Sequence, residues 1–244
     1  MIKRDYIIIL ILIVIILALG MAIISFSNNN EPSNKNNSGN VTLEVIANNT
    51  SQDPGTVQVM KNIGNPNGKR IAYVVGVHPL ENLTHKTLLK LLPAMTDLNN
   101  CYDIYIINVT EDIGYYGDGS SDNSQGRQNG QNLALKYVYP EIRDGDYQLA
   151  VDVHSNVGAY PYKTFVFSPV KEGLRVDYAR EVASDSHNIS YYAPDSTTSG
   201  PYLTVPLNEN GIPAFYFEEY SFAPQNEKDL HMLELIKAVD NLDL

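Results

Sequence analysis

The feature that most constrains this chain is a repeated switch between short, nearly unbroken apolar runs and amphipathic stretches. Arg70–Val77 is followed by Leu83–Met95, Lys163–Phe167 by Leu174–Ser184, and Ala214–Phe217 by Lys228–Leu242, with further apolar runs at Tyr102–Val109 and Tyr147–Val153. The runs are rich in Ile, Val, Tyr and Phe and do not alternate with polar residues, the pattern of strands buried on both faces. Strands that take turns with helices predict an α/β sandwich with a mixed, largely parallel sheet. Two polar segments, Glu111–Gln131 and Pro194–Gly211, exceed ordinary connection lengths, and long loops beside a sheet commonly build a site.

The start of the chain reads differently. Ile7 to Ile24 carries no charge and matches the ~20 apolar residues that cross a bilayer. Lys3 and Arg4 precede it and no positive charge follows until Lys35, which places the N-terminus in the cytoplasm and the rest outside. The run is longer than the ~7–15-residue core of a cleaved signal, and no A-x-A site follows. The expectation is an uncleaved single-pass anchor over 1–27 in the cell membrane, with a cleaved signal as the alternative. An Asn/Ser-rich tether over 28–55 follows, with one short strand within Val41–Ala47, and then one compact domain over 56–244. With 17 Lys+Arg against 28 Asp+Glu the net charge is -11, which argues against nucleic acid as a partner. Cys101 is the single cysteine and excludes a disulfide within the chain.

Two histidines stand immediately after apolar strands, His78 after Ala72–Val77 and His154 after Ala150–Val153. In an open α/β sheet that edge is where ligands bind. Glu81 follows His78 by three positions, with Pro79 between them to start a turn, so the two side chains converge. Two His and one Glu make a zinc shell with an open position, which polarises a carbonyl and lowers the pKa of bound water to ~7. Hydrolysis also needs a base, and Glu218 and Glu219 leave a third apolar strand, where a carboxylate is costly unless employed or paired. Alternation sets Glu218 on the face of Ala214 and Tyr216 and Glu219 on the other, without deciding which enters a site. Asp152, two residues before His154, is a candidate partner for it. His85 reads as a surface residue of the following helix, and His187 and His231 have no ligand company.

Gly76-Val77-His78-Pro79-Leu80-Glu81, Val151-Asp152-Val153-His154-Ser155 and Ala214-Phe215-Tyr216-Phe217-Glu218 resemble, in order, the three signatures of the zinc carboxypeptidase superfamily, including its succinylglutamate desuccinylase/aspartoacylase branch. The resemblance runs from about residue 68 to the C-terminus. It implies an eight-stranded mixed sheet between helices, one zinc ion held by His78, Glu81 and His154, and Glu218 as the residue that activates water. Gly126–Leu133 is similar to the family segment where an arginine precedes Gly-x-Asp-Leu-Asn-Arg, which makes Arg127 the oxyanion-stabilising arginine and a substrate contact together with Asn132. Where the family carries an Asn-Arg pair that clasps a free C-terminal carboxylate, this chain continues Asn132-Leu133-Ala134-Leu135. Ser196 stands at the place of the family's mobile tyrosine, for which Tyr191, Tyr192 or Tyr202 could substitute, and Lys136 or Arg143 could replace the missing cation.

The resulting expectation is a membrane-anchored, outward-facing zinc hydrolase that cleaves an amide bond in a peptide, with a cell-wall peptide ranked first. Two rivals stand beside it: a non-catalytic binding module on the same fold, and an N-acyl amino acid deacylase.

Overall fold

A computed structural model of the chain describes residues 40–114, 124–171 and 173–244. The apolar run at 7–24, and with it the expected anchor, lies outside the described residues. Among the described residues no helix is long and apolar enough to cross a membrane. The described residues fall in one compact unit.

Eight strands build one sheet: β1 (Thr42–Ala47), β2 (Gly55–Gly64), β3 (Arg70–Val75), β4 (Cys101–Val109), β5 (Tyr147–Asn156), β6 (Phe165–Phe167), β7 (Ser190–Tyr191) and β8 (Ala214–Tyr220). Their order is β1-β2-β4-β3-β5-β8-β6-β7. The central β4, β3, β5 and β8 run parallel, while β1, β2 and β4 pair antiparallel at one side and β6 pairs antiparallel with β8 at the other. The sheet is therefore mixed, with a parallel centre. Thr42–Ala47, the short strand read within the tether, pairs with β2 as the edge strand, so the sheet takes in part of the 28–55 segment.

Helices cover both faces. Asn82–Leu91 (α1), Leu174–Ser184 (α4) and Gln225–Asp240 (α6) pack on one side; Ser124–Leu133 (α2), Tyr139–Asp144 (α3) and Thr204–Glu209 (α5) lie on the other. Strand alternation divides the core between them. Ile71, Tyr73 and Val75 of β3 join Leu88 and Ile236 in one cluster, whereas Ala72 and Val74 join Leu133 and Leu207 in the second. A fully buried side chain of this size contributes about 1.5–3 kcal/mol, so the division fixes which face each strand residue takes.

The parallel strands end together at one edge. Immediately after β3, Gly76 adopts φ 90°, and a Cβ there would meet the Ile107 carbonyl oxygen at 1.8 Å. Only glycine fits that turn, which swings His78 out over the strand ends.

Candidate metal centre and active site

Pro79 starts a 3-10 turn, Pro79–Glu81, whose tightness folds Glu81 back onto His78. His78 Nδ1 lies 3.0 Å from Glu81 Oε1. From β5, His154 brings its Nδ1 to 3.0 Å from both His78 Nδ1 and Glu81 Oε2. The Ser155 backbone N–H also donates to Glu81 Oε2, at 2.9 Å. The ligand-capable atoms of His78, Glu81 and His154 all fall within 4.8 Å of one another, and all three residues are buried.

This arrangement suits a metal ion. Two ring nitrogens 3.0 Å apart repel unless a proton or cation lies between them, and a carboxylate oxygen flanks each. Zinc bonds of ~2.0–2.1 Å set tetrahedral ligand spacings of roughly 3.4 Å, close to what the side chains show. Burial presses His78 below its usual pKa. Burial acts the same way on His154, but the carboxylates of Asp152 and Glu81 overcome it and hold His154 well above. Burial would raise Glu81, yet His154 and His78 hold it well below the carboxylate range.

Each imidazole is backed on its outer side. His154 Nε2 and Asp152 Oδ1 approach to 2.9 Å, as an ion pair off the N–H direction rather than an aligned hydrogen bond. Behind His78, the Gln131 amide lies 3.2 Å from Nε2. With the amide oxygen turned to that nitrogen, His78 donates from Nε2 and keeps Nδ1 bare for a ligand. Gln131 and Arg127 are four apart on α2 and share its inner face. Gly130 lets that helix approach the sheet, because a Cβ there would meet the Val77 carbonyl oxygen at 2.1 Å.

Glu218 stands directly across the β5–β8 ladder from His154. Its Oε2 is buried with no hydrogen-bond partner among the described residues. Burial pushes its pKa up to about 8, opposed by His154 and assisted by Glu81 and Asp152. Glu219 faces the other side, where it meets His231 and Thr164, so the strand parity resolves in favour of Glu218. A cavity of about 340 Å³ opens over these groups, lined among others by Arg127, Tyr160 and the hydroxyl run Ser196–Ser199.

Arg127 reaches the cavity, with Nη1 3.4 Å from Glu81 Oε1 and Nη2 donating to Thr198 Oγ1 at 3.1 Å. Asn132 and Tyr202 do not line the cavity. Asn132 accepts from Gln128 on the outer face of α2, and Tyr202 donates to the same Gln128. The helical period that turns Arg127 and Gln131 inward turns Gln128 and Asn132 outward. Ser196 does line the cavity, and the aromatic hydroxyl beside it comes from Tyr160, in the loop after β5, which the sequence pattern did not single out. Lys136 is bonded to Asp53 and Arg143 to Asp144, so neither supplies a second cation. His85 is buried rather than on the surface, and its Nε2 donates to the Val153 carbonyl at 3.1 Å.

No family model matches the sequence, and no curated protein matches it. Solved structures do match. A Shewanella denitrificans OS-217 protein assigned as a carboxypeptidase A has a TM-score of 0.56 at 15% identity, over 83% of this chain and 64% of that one. The fold is carboxypeptidase-like. Within the same fold, a metallo-carboxypeptidase from Burkholderia cenocepacia has a TM-score of 0.51 at 12% identity, over 83% of this chain and 64% of that one. A succinylglutamate desuccinylase/aspartoacylase from Rhodobacter sphaeroides has 0.50 at 9% identity, over 86% and 67%. The chain thus spans less than two thirds of the length of the Shewanella and Burkholderia proteins. The mixed eight-stranded sheet agrees with the architecture that the sequence resemblance implied.

Proposed function

We propose that the domain is a zinc-dependent hydrolase of an amide bond in a peptide, held outside the cell by an N-terminal membrane anchor. One observation carries the reading: the unpartnered, buried Oε2 of Glu218 lies across the ladder from His154, beside two imidazoles and a carboxylate that fit one ion. His78, Glu81 and His154 would hold zinc, which would supply a Lewis acid and lower the pKa of water to ~7. Glu218 takes a proton from the attacking water and passes it to the departing amine. Its burial suits that exchange, because it favours the protonated carboxyl that then gives the proton up. Arg127 donates to the carbonyl oxygen as that atom gains negative charge. Asp152 and Gln131 hold the two imidazoles in orientation.

The cavity wall favours a peptide with polar groups around the scissile bond. Ser196, Thr197, Thr198 and Ser199 offer hydroxyls, and among the described lining residues Arg127 is the one cation. A free C-terminal carboxylate would have to compete with the oxyanion for that arginine, so an internal or branched amide fits better than a terminal one. A cell-wall peptide matches both this polarity and the outward orientation read from residues 1–27. The second reading, an N-acyl amino acid deacylase, is favoured by the likeness to the desuccinylase/aspartoacylase.

The test is metal analysis of the purified chain together with hydrolysis of a peptide and N-acyl amino acid panel. About one zinc per chain and cleavage abolished in Glu218→Gln support the proposal; a metal-loaded wild type as inert as the variant replaces it with a binding module. Faster cleavage of N-acyl amino acids than of peptides selects the deacylase.

A further inference from the structure

Glu218, although placed to move a proton, has no hydrogen bond to its side chain among the described residues, and its Oε2 is buried without a partner. Among the described residues no hydrogen bond on the cavity side holds it. Its neighbour on the opposite face is held on every side. Glu219 is 1% exposed, and its carboxylate accepts from Thr164 Oγ1 at 3.1 Å, His231 Nδ1 at 2.9 Å and the Tyr220 backbone N–H at 2.8 Å. Thr164 directly precedes β6, which pairs with β8 so that Phe165 lies beside Glu218, and His231 is carried by α6. The segment entering β6 and helix α6 therefore converge on one carboxylate of β8. Beyond them, Lys228 Nζ donates to the carbonyls of Ser221 and Ala223 and closes the turn between β8 and α6.

We propose that Glu219, gripped by Thr164 and His231, is a positioning residue that holds Glu218 in the active site from the back of the sheet. Successive strand residues point to opposite faces, so the backbone that Glu219 anchors is the backbone from which Glu218 projects. The proposal rests on the hydrolase reading for its kinetic consequence, and on geometry alone for its structural one. Displacing a catalytic group by about 1 Å costs on the order of 10²-fold in rate, so a grip on Glu219 is felt at Glu218. A cavity of about 250 Å³ borders Thr164 and His231 on that side. His231→Ala therefore enlarges a space that already exists, and Glu219→Gln keeps a side chain of the same size, so both are suited to fold.

The test uses the whole chain loaded with zinc, as His231→Ala, Glu219→Ala and the conservative Glu219→Gln. The expected result is a fall in kcat of about tenfold to a hundredfold in both alanine variants. KM and zinc content stay at wild-type values, and Glu219→Gln recovers much of the rate. Loss of zinc or a rise in KM at constant kcat overturns the proposal. A crystal structure of His231→Ala decides it independently of activity. A shifted Glu218 carboxylate is expected, and one that superimposes on the wild type overturns it. A wild type inert toward every substrate sinks the hydrolase reading only, because the structural result still stands or falls by itself.

Discussion

His154 and Glu218 face each other across the β5–β8 ladder, so the distance between a metal ligand and the proposed base is set by strand register. A slip of one residue would present Glu219 to the cavity and turn Glu218 toward α6. Asp152 and Tyr216 form the preceding pair on the same face, and Tyr216 is held by Thr204 Oγ1 at 2.8 Å. Register here carries chemistry as well as packing.

Glu218→Gln should remove activity and add stability. A carboxyl whose folded pKa lies at about 8 favours folding while protonated, and that advantage is lost as pH rises from the unfolded value through 8. The glutamine stays neutral. In metal-free protein it should raise the midpoint of thermal unfolding more at about pH 8 than at about pH 5, while hydrolysis by the zinc form falls by ~10²–10⁴-fold. An equal increase over the wild type at both pH values would contradict the burial of this carboxyl.

Gln131 should matter to metal affinity. Gln131→Leu leaves His78 Nε2–H without an acceptor in a buried site, so zinc affinity measured by chelator competition should drop by roughly 10–100-fold. Gln131→Glu should bind zinc more tightly than the leucine variant.

Arg127→Met should lower kcat by ~10²–10³-fold, the loss expected when one oxyanion donor is removed. Steady-state kinetics measure it, and zinc content should not change, because Arg127 touches Glu81 only at 3.4 Å.

His85→Gln should flatten the acid side of the stability curve. Burial depresses His85 to about 4, so the unfolded chain takes up a proton below about pH 6.5 that the folded chain refuses. Stability is complete above the unfolded value and falls as pH drops toward 4, by about 3 kcal/mol from this residue. Glutamine can still donate to the Val153 carbonyl but does not titrate. Urea unfolding between about pH 7.5 and about pH 4 should show the variant losing less.

Gly76→Ala should unfold the strand end that delivers His78. Both the positive φ and a carbonyl oxygen 1.8 Å from the added Cβ oppose it, so a loss of about 3 kcal/mol is expected by chemical denaturation.

The order of apolar runs determined the parallel centre of the sheet, and the placement of His78, Glu81 and His154 after those runs determined that they meet, because strands in such a sheet end on a common edge. The helix α2 residues Asn132, Arg127 and Gln131 belong to one short segment, yet a helical turn rather than a loop decides which face the cavity, and the polar composition of that segment masks its 3.6-residue period. His85 is a polar residue on the inner face of an amphipathic helix, so its burial follows from where α1 docks against β5. The sequence determined by itself the sheet, its edge and the ligand-type residues upon it, since local hydrophobicity and spacing report directly on strand burial. Strand alternation left Glu218 and Glu219 open and the family resemblance favoured Glu218; the fold set Glu218 in the cavity, placed Tyr160 rather than Tyr202 on its wall and fixed what grips the far side of β8, since those outcomes depend on register and on contacts between residues distant along the chain.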